Sequence, residues 1–163
     1  MKQVDQELFE MAIKRSSEKD AVKRQKLRSP VEALMDYACN FEKANFVVRV
    51  NVIKVGYDKE RDVKFAQALI EETALQGIKL MREGDDMEFE WPLTCTQPEL
   101  TVGKTYYIIA KKGTSFTENY GMTRVRYQLT GTALVIDPEF KPLLRIMMNN
   151  FVKELRKNNG CIN

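Results

Sequence analysis

From Asn45 onward the side chains change period. Phe46, Val48, Val50 and Val52 alternate with Val47, Arg49, Asn51 and Ile53, the two-residue repeat of a strand whose faces meet different surroundings, and β-branched residues suit that pleated surface. Met87, Phe89, Trp91 and Leu93 alternate with Glu88, Glu90 and Pro92, which predicts a strand with one wet face. Thr105 to Ala110 (TYYIIA) reads as a short buried strand. Val125, Tyr127 and Leu129 alternate with Arg124, Arg126 and Gln128, and a last strand covers Ala133 to Ile136. Val63 to Leu75 is extended or helical, since its Ala-Gln-Ala-Leu-Ile-Glu-Glu core fits either period. A handful of short strands must bury one face and dispose of its edges, and closure into a small barrel does both.

Helical signals flank the strand block. Val4, Leu8, Met11 and Ala12, widened by Phe9 and Ile13, give an amphipathic helix over residues 3–17. Ser16 to Arg28 is a charged stretch that reads as a frayed helix end or a linker. Ser29-Pro30-Val31-Glu32 has the spacing of a capping box with Pro at the first helical position, opening a short helix towards Tyr37. At the other end Asp137 is placed to cap and Pro138 suits a first turn. Phe140, Leu144, Met147, Phe151 and Leu155 share one stripe, and Gly160 stops the helix. Pro142 moves the regular start towards itself. Lys141, Arg145, Lys153, Arg156 and Lys157 ring the polar side, either as a solvated face or as a site for a polyanion such as heparan sulfate.

The chemistry is sparse. Among 163 residues there is no histidine, which removes the commonest general base and the commonest metal ligand together. Ser16-Ser17-Glu18-Lys19 spells Ser-x-x-Lys without its companion motifs. Glu71-Glu72 and Asp85-Asp86 read as solvated charge ahead of an acid–base pair. Gly103-Lys104-Thr105 lacks the leading glycine of a phosphate loop. No apolar run approaches the ~18 residues of a membrane span. No enzyme activity, cofactor or membrane insertion is expected. The net charge of +3 does not by itself imply nucleic acid. Tyr106-Tyr107 and Tyr120 could stack bases, but tyrosine in strands more often packs. The three cysteines, Cys39, Cys95 and Cys161, are too widely spaced for a CxxC site. Cys39 and Cys95 are equally compatible with a bridge, which would close a roughly 56-residue loop for ~4 kcal/mol, and with two buried thiols. The polar start, Met1 to Gln6, lacks the layout of a secretory signal, so the chain is cytosolic or a piece of a longer secreted protein.

Four features together resemble the netrin-like domain, most closely the version at the C-terminus of the third, fourth and fifth complement components. They are Tyr37-Ala38-Cys39 followed by the strand Phe46–Val52; Cys95, Leu100, Gly103-Lys104 and Tyr106-Tyr107 before an apolar strand; a strand leading into a terminal helix; and the ending Gly160-Cys161-Ile162-Asn163. The likeness covers residues 37–163, and residues 1–36 form a preceding helix and charged linker. It implies a mainly β fold, a five-stranded closed barrel of the oligonucleotide-binding type with N-terminal and C-terminal flanking helices. It implies a Cys39–Cys95 disulfide, leaving Cys161 unpaired or bonded to another chain. By the same likeness the terminal carboxylate at Asn163 is a ligand in trans to a Mg²⁺ ion held by the partner, a hard oxygen donor suited to that ion.

The implied function is an extracellular protein–protein interaction module, the docking domain of a complement-type thioester protein whose partners are proteases or regulators. Residues that would carry polyanion or partner contacts are Lys141, Arg145, Lys153, Arg156 and Lys157. The alternatives are a heparin- or matrix-binding netrin-like module and, from another class, an intracellular barrel that binds single-stranded nucleic acid. The many residues before Cys39 do not support inhibition of metalloproteinases, for which relatives use an N-terminal cysteine.

Overall fold

The computed structural model describes residues 2–40, 42–75, 81–95, 99–111, 114–117, 123–157 and 160–161. In chain order the elements are β1 (Lys2–Gln3), α1 (Asp5–Ser17), α2 (Ala21–Lys26), α3 (Pro30–Ala38), β2 (Phe46–Asp58), β3 (Val63–Leu75), β4 (Asp86–Pro92), β5 (Thr105–Ala110), β6 (Thr114–Thr117), β7 (Thr123–Gln128), β8 (Leu134–Ile136) and α4 (Pro142–Lys157). The strands form a sheet in the order β1-β8-β5-β2-β3-β4-β7-β6. Segment 63–75 is therefore extended, its tertiary pairing with β2 along almost its whole length settling what local propensity leaves open.

The sheet curls without closing. The rings of Phe46 on β2 and Tyr127 on β7 sit 5.1 Å apart, although β3 and β4 lie between their strands. In a flat sheet that offset would be about 14 Å. Irregularities in the β2–β3 register between Val47/Val48, Arg49/Val50 and Val52/Lys54 supply the bend. The expected closed five-stranded barrel is not what forms: among the described residues no ladder joins the two ends of the strand order. The reason lies at β8, which pairs with β5 on one side and with β1 on the other, Lys2 facing Leu134 and Gln3 facing Val135. The edge that closure needs is taken by the N-terminal strand.

Two cores result. Alternate residues of β2, β3, β4 and β5, with Tyr127 and Leu129, fill the concave side around Phe46, Phe89 and Trp91. The opposite side of β2, β5 and β8 presents Val47, Tyr107, Ile109, Leu134 and Ile136 to Leu8, Leu34, Leu144, Met148, Phe151 and Leu155 of the helices. Strand β5 is covered on both faces, which is why TYYIIA is apolar throughout. Tyr106 and Tyr107 are each only 3 % exposed, so they pack and offer no base-stacking platform. Tyr120 lies outside the described residues.

Helix α1 carries Asp5 and Glu7 in its first turn and Lys14 and Arg15 in its last, matching the macrodipole. Pro30 opens α3, but the Ser29 side chain makes no cap hydrogen bond, so the capping box is not formed there. The charged stretch contains α2, whose N-terminus is capped by the Asp20 carboxylate accepting from the Val22 and Lys23 N–H groups. Asp137 does not cap α4, which starts at Pro142. Its carboxylate instead accepts from the Glu139 N–H and pairs with Lys104 Nζ at 2.6 Å.

Candidate docking surface and its supports

The cysteines pair differently from the expectation. Cys39 is bonded to Cys161, with Cα atoms 5.4 Å apart and 122 residues between them in sequence, and Cys95 is a free thiol. Cys39 caps the end of α3 and packs with the helical core. Cys95, its N–H donating to the Pro92 carbonyl after β4, packs against the concave core. They belong to opposite faces of the sheet, and a Cys39–Cys95 bridge would have to pass through it. The bridge that forms ties the segment after α4 back to α3. On the chain-entropy model a loop of that length is worth about 5 kcal/mol.

The motif Gly103-Lys104 has a structural role. Gly103 adopts φ +89°, a left-handed conformation that glycine takes without a side-chain clash, and its N–H donates to the Val52 carbonyl at 2.8 Å. That turn aims Lys104 at Asp137, whose own N–H donates to the Asp5 carboxylate at 3.0 Å. The pair with Asp137 raises the Lys104 pKa. One short relay thus links α1, the start of β5 and the approach to α4. Within the same loop the Tyr106 hydroxyl accepts from the Thr101 N–H.

The acidic pairs are engaged in structural contacts. Glu71 accepts from Arg49 and from the Thr105 hydroxyl, while Glu72 pairs with Arg156 at 3.2 Å. The Asp86 carboxylate accepts from Gln67. The Ser16 hydroxyl donates to the Ile13 carbonyl. Among the described residues no cluster of three or more Cys, Asp or Glu could hold a metal. Asn163, the residue expected to offer a carboxylate to Mg²⁺, lies outside the described residues.

The five cations of α4 and its approach do not form a uniform basic face. Arg145 pairs with Glu139, Arg156 with Glu72, and Lys141 sits 5.7 Å from the rings of both Phe9 and Phe140. Lys153 and Lys157 are exposed, with no ion pair among the described residues. The same helix shows Ile146, 56 % exposed, and Phe140, before its first turn, stands edge-on to Phe9 of α1. Exposed apolar side chains among partly neutralised cations have the composition of a protein-contact surface more than of a polyanion groove. Away from α4, residues of α1, α3 and β8 line a cleft of about 400 Å³ that includes Leu8, Leu34 and Leu134 and the Arg28–Asp36 ion pair.

A second site was not legible as such. The glutamates of β4 do not form the expected wet face. Glu88 and Glu90 are buried, Glu90 to 2 % exposure, and Arg126 of β7 is 3 % exposed beside them. Arg126 reaches Glu88 at 3.3 Å and Asp58 at 2.8 Å, Arg61 pairs with Glu90, and the Arg126 guanidinium lies 4.6 Å from the Phe65 ring. The Asp58 carboxyl is held below its usual pKa: burial would raise it, but the hydrogen bond from Arg126 and those from the Arg61 and Glu60 N–H groups outweigh that. Charges buried in this way are accommodated by their pairing and hydrogen bonds, so that removing one partner leaves the other uncompensated.

Residues 36–141 match the family model of the UNC-6/NTR/C345C module. That span is about two thirds of the chain, and the chain belongs to this netrin-like family. No curated protein matches the sequence.

Proposed function

We propose that the chain is an extracellular docking module of the complement type, which acts by being bound and catalyses nothing itself. The observation that carries the reading is the Cys39–Cys161 bridge inside a netrin-like module. Disulfides persist in oxidising compartments, and this one fixes Cys161, two positions before Asn163, to the folded body. Residues that follow a fixed point present a ligand at lower entropic cost than a free tail does. The partner on this reading is a protease or regulator of a thioester-protein system that holds a Mg²⁺ ion, to which a carboxylate at Asn163 supplies an oxygen. Phe140 and Ile146, both exposed, supply the hydrophobic part of the contact.

The test is binding of the chain to an immobilised complement-type serine protease zymogen, in Mg²⁺ and in chelator. Removing Ile162 and Asn163 should weaken Mg²⁺-dependent binding by about tenfold or more, and Ile146→Glu should weaken binding in both conditions. Affinity that ignores the metal and the truncation removes the metal bridge from the reading. Affinity that also ignores Ile146→Glu removes α4 as the docking face.

A further inference from the structure

The positive charge of this protein is concentrated outside the netrin-like module. Residues 14–28 contain seven Lys/Arg and two Asp/Glu, whereas the rest of the chain contains nineteen Lys/Arg against twenty-one Asp/Glu. The net +3 of the protein is thus the balance of a segment at +5 and a body at −2. The family match begins only at residue 36.

The fold displays this segment. No residue of α2 is buried, and every residue from Lys19 to Lys26 is exposed. Asp20, one of its two acids, is occupied in capping α2. Arg24 donates to the Glu18 and Lys19 carbonyls, which shapes the turn without neutralising its charge. Arg28 pairs with Asp36, but Lys14, Lys19, Lys23 and Lys26 have no ion pair among the described residues. Of the five cations on α4 and its approach, by contrast, two are paired.

We infer that the α1–α2 arm is a binding site for a sulfated polysaccharide, with Lys19, Lys23 and Lys26 as its principal contacts. Residues 14–28 have almost no apolar surface to bury, Val22 being the one exposed large hydrophobic side chain among them. An acidic folded protein, whose binding needs a desolvated apolar centre, is therefore a poor fit. A flexible linear polyanion, bound through release of its condensed counterions, needs only accessible cations. Between the linear polyanions, the Cys39–Cys161 bridge places the chain where disulfides survive, among sulfated glycans and away from intracellular nucleic acid.

The experiment measures heparin affinity of the whole chain as a function of salt. In Lys19→Gln/Lys23→Gln/Lys26→Gln the affinity near physiological salt should fall by about tenfold or more, and the slope of log Kd against log salt should drop by roughly two to three. Melting should be unchanged, because the three side chains are exposed and carry no ion pair among the described residues. Lys153→Gln/Lys157→Gln on α4 should stay within about twofold of the parent. Desulfated heparin should bind the parent chain weakly. The inference is overturned if the α2 variant keeps its affinity and slope, if the α4 variant loses as much, or if desulfated heparin or duplex DNA binds as tightly as heparin does. None of these outcomes depends on the protease-docking reading.

Discussion

Nη1 of Arg126 lies 2.8 Å from Oδ2 of Asp58, joining β7 to the far end of β2 across two intervening strands. The same guanidinium holds Glu88 and covers Phe65. Replacing it by Met keeps the volume and removes the charge, leaving Glu88 and Asp58 without that partner. Breaking a buried pair from one side costs several kcal/mol. Arg126→Met should therefore lose about 3 kcal/mol in urea denaturation at neutral pH. A loss below about 1 kcal/mol would mean that the pair behaves as a surface ion pair.

The pH dependence follows from Asp58. Its folded pKa lies below the ordinary carboxylate value, so the unfolded chain takes up a proton first as pH falls. The stability from its ionised form is complete above the unfolded value of about 3.9 and is lost as pH drops through the lower folded value. Asn at position 58 keeps an oxygen for the Glu60 and Arg61 N–H groups but lacks the charge that Arg126 meets. Asp58→Asn should cost about 1–2 kcal/mol at pH 7, and the gap from the parent should close below about pH 4. A gap that is constant from pH 7 to pH 3 would exclude the linkage.

Cysteine substitution separates the bridge from the spare thiol. Cys161→Ser removes the link to Cys39 and should cost about 2–5 kcal/mol. Cys95→Ser alters one partly buried thiol with no disulfide and should cost less than about 1 kcal/mol. Peptide mapping without reduction should recover Cys39 joined to Cys161 and a single alkylatable thiol at Cys95. A Cys39–Cys95 peptide would contradict the placement of those residues on opposite faces.

Period and propensity in the sequence were enough to locate β2, β4, β5, β7 and β8, because each alternates or runs apolar over a length typical of strands. They also placed α1 and α4. What stayed hidden depends on distant partners. β1 is two residues long and gains its identity from β8, which lies more than 130 positions away; without knowing that pairing, closure of the barrel is the natural inference. Glu88 and Glu90 alternate as an exposed face would, and only Arg61 and Arg126, distant in sequence, make it a buried one. The cysteine pairing was equally beyond reach, since spacing says nothing of which sheet face a residue joins. The basic rim of α4 was visible, but Glu72 and Glu139, which neutralise two of its members, lie outside the helix itself.

Gly56 gives the last test, because its role is set by a neighbour on another strand. It faces Phe65 across the β2–β3 ladder, and a Cβ at position 56 would stand 2.9 Å from two atoms of that ring. The ring cannot retreat freely, since the Arg126 guanidinium lies 4.6 Å from its centre and Lys54 Nζ 5.7 Å. Gly56→Ala in an ordinary strand is favourable by some tenths of a kcal/mol; here overpacking opposes that and should leave a net loss of about 1–3 kcal/mol. The companion Phe65→Leu shortens the side chain and gives the new methyl room. The double variant should therefore be more stable than the sum of the two single losses predicts, by 0.5 kcal/mol or more on the usual scale of contacting pairs. Strict additivity in the denaturation cycle would show that Gly56 and Phe65 do not meet in solution.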